Sequence, residues 1–405
     1  MELEDRTGEA TRTRPAPGHA RSAAPVPRMR RAPSAPPAEA PAAFPAAPGP
    51  IVKPLPPDLF ITYGSSAETR WEAMHGQGYH TPNDRFFVRD HTATPLIDAR
   101  TWRLRLHGDG LRAPRTLTYE DLLALPATTA DVAIECAGNG RAFFDLQQDQ
   151  RMAGIPWRLG AIGVARWRGV PLSTLLDLAG VRADAVDVMP RGLDPVYVED
   201  GVDHGHVRRP LPIAKALSDV LVAYEMNDRP LPPDHGFPAR LVVPGWSGVA
   251  SIKWLGDIEV ATTALSSPWN TRFYRMFGPG HPPGGAPLSD QVVKSAFELP
   301  WGATLRAGRQ HILRGRSWSG GGRVVRVEVS VDGGLSWQRA ETRGPRPARA
   351  WAPWHLAWVP RRPGAHILMA RAVDETGATQ PARARFNMLG YHFDGVVQHP
   401  VTVIS

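Results

Sequence analysis

A single cysteine, Cys136, stands in 405 residues, within the stretch AIECAGNGR (133–141). A thiolate is a soft, strong metal ligand, and a lone one offers a metal one protein bond. With no second cysteine the chain can form no internal disulfide and no zinc site from paired thiolates. By spacing alone a single cysteine is more often a small core residue. Its neighbours shift the reading towards chemistry. Cys136 ends a β-like run, ADVAIEC, and enters a turn of Ala, Gly and Asn, where backbone can approach a ligand closely. Arg141 follows in the same turn region, and a cation there favours the thiolate a metal requires. No protein co-ligand lies nearby in sequence, so such a metal would take its other ligands from a cofactor.

The elements that must position this turn are short. TLTYEDLLALP (116–126) predicts a helix capped by Thr118, with Asp121 in its first turn and Pro126 as its stop. VPLSTLLDLAGV (170–181) repeats the pattern, with Ser173 as the expected cap and Gly180 as the terminator. Runs such as ADVAIEC and PARLVVP read as strands between these helices. Helices and strands alternate without a βαβ rhythm, which predicts an α+β domain over residues 51–276. FGPGHPPGGAP predicts a linker over 277–287, and its HPPGG lacks the domain or partner residues a haem loop would need. Residues 288–405 then read as an all-β, immunoglobulin-like antiparallel sandwich. Within it GRVVRVEVSVDGG places Val325, Val327, Val329 and Val331 on one face before a hairpin turn.

Composition excludes other classes. The net charge of +8 comes from arginines scattered through every segment, with no basic stripe and no interleaved aromatics, so no nucleic-acid partner is expected. No run approaches the roughly 18–20 apolar residues of a membrane span. Residues 1–50 are rich in Ala, Pro and Arg, which predicts a disordered tail. The prolines after Arg30 and Arg31 remove the apolar core an export signal needs, so a cytoplasmic location is expected unless translation starts elsewhere.

The stretch around Cys136 resembles the molybdenum-ligand motif of the sulfite oxidase family, Cys-Ala-Gly-Asn followed by basic residues. Further motifs fall in the family's order: NDRFFVRDH (83–91), GIPWRLGAIGVARWRGVPL (154–172), AYEMNDRPLPPDHGFPARLVVPG (223–245), then KWLGDIEV and SPWNTRFY. The resemblance implies a molybdopterin cofactor whose dithiolene gives molybdenum two sulfurs, with Cys136 giving the third. It implies that Arg89 and Arg141 line an oxyanion pocket, with Tyr274 near an oxo group and Trp157 in the wall. His91, His235, Arg240 and Lys253 fall at positions that contact the pterin or its phosphate, and Asp194 at a carboxylate facing pterin nitrogens. The carboxyl-terminal sandwich resembles the family's dimerisation domain, which implies a homodimer.

Two positions depart from the pattern. The paired arginines expected after the motif are Gly140 and Arg141 here, and FNMLG places Leu389 where sulfite-specific relatives carry a pocket arginine. The expected function is therefore molybdenum-dependent oxygen-atom transfer to a small oxyanion, sulfite to sulfate in the first instance. With no haem or iron–sulfur motif in the chain, an external cytochrome or dioxygen is the expected acceptor. The same centre run in reverse would make a reductase of an oxyanion or S-oxide. A non-catalytic cofactor-binding or interaction protein is the reading from a different class, and metal analysis separates it from both.

Overall fold

The strand Thr128–Glu135 carries the cysteine turn, and its burial is two-sided. The computed structural model describes residues 50–345 and 347–405, so the predicted tail and the Arg30–Arg31 pair lie, but for Pro50, outside the described residues. Val132 and Ile134 point into the main core of the first domain, where they join Phe86, Trp157 and Trp167. Ala133, on the opposite face, packs with Trp318 and Trp351 of the second domain. The alanine there lets the second domain approach. Its backbone is also bonded across the boundary, from Ala133 N–H to the Arg349 carbonyl at 2.9 Å.

This strand pairs antiparallel with Ile162–Pro171, which pairs with Leu221–Met226, flanked by Arg229–Pro230 and Arg240–Val242. A second sheet runs Leu211–Pro212, Asp187–Gly192, Leu255–Ala261, Leu104–His107, Arg115–Leu117, with one parallel pair, Leu255–Ala261 on Leu104–His107. Helices are few and short among the described residues: five, of four to seven residues. The first domain is thus mostly β, with a few short helices interleaved among the strands of its sheets. Tyr119–Ala124 is a helix with Thr118 and Asp121 in a reciprocal capping box, as its sequence predicts. Leu172–Leu178 begins at Pro171 instead, with Ser173 inside its first turn. Its carboxyl end does close on Gly180, at φ +68°.

The second domain is two sheets around one core. Lys294–Phe297, His311–Trp318, Trp351–Trp358 and Glu341–Thr342 form one. Ala303–Arg306, His399–Ile404, Gly364–Asp374, Val324–Ser330 and Gln338–Arg339 form the other. Ala303–Arg306 runs parallel to His399–Ile404, so the sandwich is not wholly antiparallel. The valine face is also shifted. A bulge between Val324 and Arg326 puts Val324 inside and leaves Val325 exposed, while Val327 and Val329 stay buried. The predicted linker is structured: Arg275–Met276 pairs with Ala286–Pro287, and the Arg275 guanidinium donates to the carbonyls of Asn270, Gly284 and Gly285. No helix among the described residues is long and apolar enough to cross a membrane.

Candidate active site

Two cavities meet at Cys136. One lies in the first domain and is lined by Asp194, His235, Arg240 and Lys253. The other, a funnel open to solvent, is lined by Arg141 and Trp157. Arg89, Asp90, His91, Cys136 and Tyr274 belong to both. All ten residues singled out from the sequence therefore line this double chamber, with Arg89, His91, Cys136 and Tyr274 shared by its two halves.

The turn bearing Cys136 is pinned from three directions. Cys136 N–H donates to the Ala161 carbonyl at 2.9 Å, and Asn139 Oδ1 accepts from Ala161 N–H at 3.1 Å. Gly140 sits at φ +92°, and a Cβ there would come within 3.0 Å of Phe393. That explains why the first of the two expected arginines is glycine here: a ring from the second domain covers the position. The third tie is Lys294, also from the second domain. Its ammonium donates to Glu135 Oε1 and to the Asn139 carbonyl, both at 2.8 Å, and both charged side chains are buried. Burial raises the free Cys136 thiol pKa. Arg89 opposes this first among the cations, ahead of Arg141, so the residue nearest in sequence is not the main counter-charge.

On the funnel side, Arg141 is anchored by its Nε to the Leu389 carbonyl and by Nη1 to the Ile155 carbonyl, each at 2.9 Å. Its guanidinium lies 5.2 Å from the Tyr391 ring centre. Tyr391 stacks on Tyr274 at 5.4 Å, and Tyr274 Oη is 3.2 Å from His91 Nε2. Burial, then the charges of Arg89 and Lys253, drive the His91 pKa well below its usual value, so its ring is neutral and Nε2 accepts from Tyr274 and from Trp269 Nε1. Tyr274 itself holds a left-handed φ of +55°, a backbone cost characteristic of functional positions. Trp157 is fully buried, edge-on to Tyr63.

On the other side the fit to a polar heterocycle can be judged from unpaired atoms. Asp194 Oδ1 and His235 Nε2 are buried and find no protein partner, although both residues are almost wholly enclosed. Such orphans call for a bound group with its own donors and acceptors. Burial pushes the Asp194 carboxyl up to about 6 and drives His235 well below its usual pKa, leaving it neutral. Lys253 forms a buried ion pair with Asp90 and donates to the Asp234 carbonyl at 2.7 Å. Arg240 donates to the carbonyls of His235 and Ser251, each at 3.0 Å. These residues fit a pterin that ends in an anionic group, with a single thiol as metal ligand. Among the described residues no cluster of three or more His, Cys, Asp or Glu side chains is arranged to hold a metal alone.

Sequence reasoning missed Asp90, Lys294 and Tyr391. Asp90 sits between Arg89 and His91 and could have been flagged as a charge in a motif. Lys294 and Tyr391 carry no local signal, because the contacts that matter are 155 residues away in the chain for Lys294.

Comparison with known proteins defines the class. Residues 91–269 match the family model described as oxidoreductase molybdopterin binding domain, and residues 291–399 match the Mo-co oxidoreductase dimerisation domain. Mitochondrial sulfite oxidase of Mus musculus is 38% identical over 324 residues, covering 75% of this chain and 58% of that protein. Sulfite oxidase of Gallus gallus is 36% identical over 321 residues, covering 74% of this chain and 68% of that protein. The crystal structure of the sulfane dehydrogenase SoxCD from Paracoccus pantotrophus superposes with a TM-score of 0.71 at 30% identity, covering 85% of this chain and 84% of that one. The chain spans 58% of the length of the mouse relative. The protein belongs to the sulfite oxidase family of molybdopterin-dependent oxidoreductases.

Proposed function

We propose that the protein catalyses oxygen-atom transfer to a sulfur oxyanion, with sulfite to sulfate as the simplest case, and passes two electrons singly to an external acceptor. The observation that carries this is the meeting of two chambers at one thiol: one holds orphaned polar atoms, and the other is an open funnel lined by Arg89 and Arg141. In balance, sulfite and water give sulfate, two protons and two electrons. When bound, the molybdenum–pterin group supplies the oxygen and accepts the electron pair. Cys136 is its protein tether, Asp194 and His235 meet the pterin's polar edge, and Arg240 and Lys253 favour its anionic end.

Arg89 and Arg141 hold the oxyanion. Anchoring Arg141 through two carbonyls fixes its guanidinium in the funnel lining ahead of substrate binding. Tyr274 holds a proton at Oη, with neutral His91 as the base that orients it. Trp157 closes the wall against water. Molybdenum analysis of the purified protein beside Cys136→Ser tests the tether: the metal is expected in the first and lost in the second. Sulfite-dependent reduction of ferricyanide tests the reaction, and reaction in the reductive direction alone, with S-oxides and reduced dye, would replace it by the reverse reading. A cytoplasmic location and an immunoglobulin-like, homodimeric second domain belong to the same proposal. Light scattering is expected to give twice the 44.2 kDa chain mass.

A further inference from the structure

The funnel above Cys136 is larger and more apolar than an inorganic oxyanion requires. It is open to solvent and twenty residues line it. Sulfite has four heavy atoms and would fill only the floor. The cations are concentrated at that floor, in Arg89 and Arg141. A further lining arginine, Arg272, is exposed towards the mouth and has its charge met by Glu199 at 3.1 Å.

The wall between floor and mouth is of a different kind. Ile155, Phe273, Phe277, Met388 and Leu389 supply it, with the ring of Tyr391 beside them. Leu389 is placed with precision. Its carbonyl accepts from Arg141 Nε at 2.9 Å, which ties its backbone to the anchored guanidinium. Met388, next to it, is 59% exposed. The chamber is amphipathic: two guanidiniums below for a charged head, and aromatic and aliphatic surface above for a substituent.

We propose that this funnel selects sulfur oxyanions bearing an apolar organic substituent, alkane- and arenesulfinates being the substrate class, and that Leu389 sets the preference. The inference rests on the oxygen-transfer reading above. A sulfinate presents two oxygens and one negative charge, which two guanidiniums satisfy. Sulfite presents a third oxygen and a second charge, and Leu389, at the position where the resemblance implies an arginine, offers neither a side-chain donor nor a charge. In balance, R–SO₂⁻ and water give R–SO₃⁻, two protons and two electrons. One S–O bond forms at the sulfur lone pair, the C–S bond stays intact, and two equivalents of a one-electron acceptor, ferricyanide in the assay, are reduced.

The test compares kcat/KM of the holoenzyme for sulfite, methanesulfinate and benzenesulfinate. Benzenesulfinate is expected to exceed sulfite about tenfold or more, since even small apolar groups in a fitted pocket discriminate by that much. Leu389→Arg, and Leu389→Lys as a second variant should the first not fold, are expected to swing the ratio roughly 100-fold towards sulfite by adding a donor and a charge. Calorimetry with the unreactive products gives the same comparison without turnover: benzenesulfonate should bind more tightly than sulfate. Turnover of sulfite with no sulfinate oxidised would overturn the substrate class and leave the oxygen-transfer reading standing. Sulfinates oxidised with an unchanged ratio in both variants would overturn the role of Leu389. Failure of every sulfur oxyanion in molybdenum-loaded protein would overturn both.

Discussion

At the residue scale, the proposed chemistry turns on how one buried histidine is kept neutral. His91 is enclosed and faces Arg89 and Lys253, so protonating it would bury a further positive charge beside theirs. Its Nε2 stays an acceptor, and Tyr274 Oη at 3.2 Å is the proton it can hold in place. Tyr274→Phe removes that proton and leaves the stack on Tyr391. The expected result is a fall in kcat of about 100-fold, the lower range of general acid–base effects, with a smaller change in KM. Steady-state kinetics with sulfite and ferricyanide would show it, and an unchanged kcat would remove Tyr274 from the chemistry. Because His91 stays neutral, the acid limb of the pH profile should not carry an ionisation near 6.5.

At the scale of elements, the site depends on the segment 157–161, which holds the cysteine turn through Gly140 N–H to Arg158 and Cys136 N–H to Ala161. That segment is in turn held by Glu68. The carboxylate is fully buried, accepts Arg158 N–H at 2.8 Å and receives Tyr63 Oη at 3.1 Å, with no cation in hydrogen-bond contact. Burial raises its pKa to about 7. A carboxyl whose folded pKa lies above its unfolded value gives stability that is present below pH about 4.5 and lost as the pH rises through 7. Glu68→Gln removes that loss. The variant should match the wild type near pH 4.5 and be more stable above pH 7, by a difference on the order of 3 kcal/mol, as one pKa unit is about 1.4 kcal/mol. Denaturant titrations across this range check it, and a difference that does not change with pH would count against the ionisation.

At the scale of the molecule, the second domain is part of the active site. It supplies Met388, Leu389 and Tyr391 to the funnel, Phe393 over Gly140, and Lys294 beneath the cysteine turn. Lys294→Met would leave Glu135 buried with its cation gone. Breaking a buried pair from one side costs about 3–5 kcal/mol, so a large fall in thermal stability is expected, with part recovered in the double variant Lys294→Met/Glu135→Gln. Additive losses in the double variant would mean the two charges do not act as a pair. The domains are therefore expected to unfold together in a calorimetric scan.

Much of the site could be read in the chain itself. Motif residues close in sequence, such as Arg89 with His91 and Cys136 with Arg141, keep their order and spacing wherever the fold places them, and strands such as ADVAIEC announce themselves by local composition. The capping of Tyr119–Ala124 was legible for the same reason, since Thr118 and Asp121 satisfy each other within one turn. What only the tertiary structure decided involves partners distant in sequence. The bulge at Val325 changed which valines face inward, and packing of the second domain against Ala133 made the cysteine strand buried on both faces. Lys294 and Tyr391 became site residues only when the second domain closed over the first. Local sequence encodes side-chain chemistry and the hydrogen bonds of a single turn. Which cation faces a buried thiol, and which wall faces a substrate, are set by contacts whose two halves lie more than a hundred residues apart.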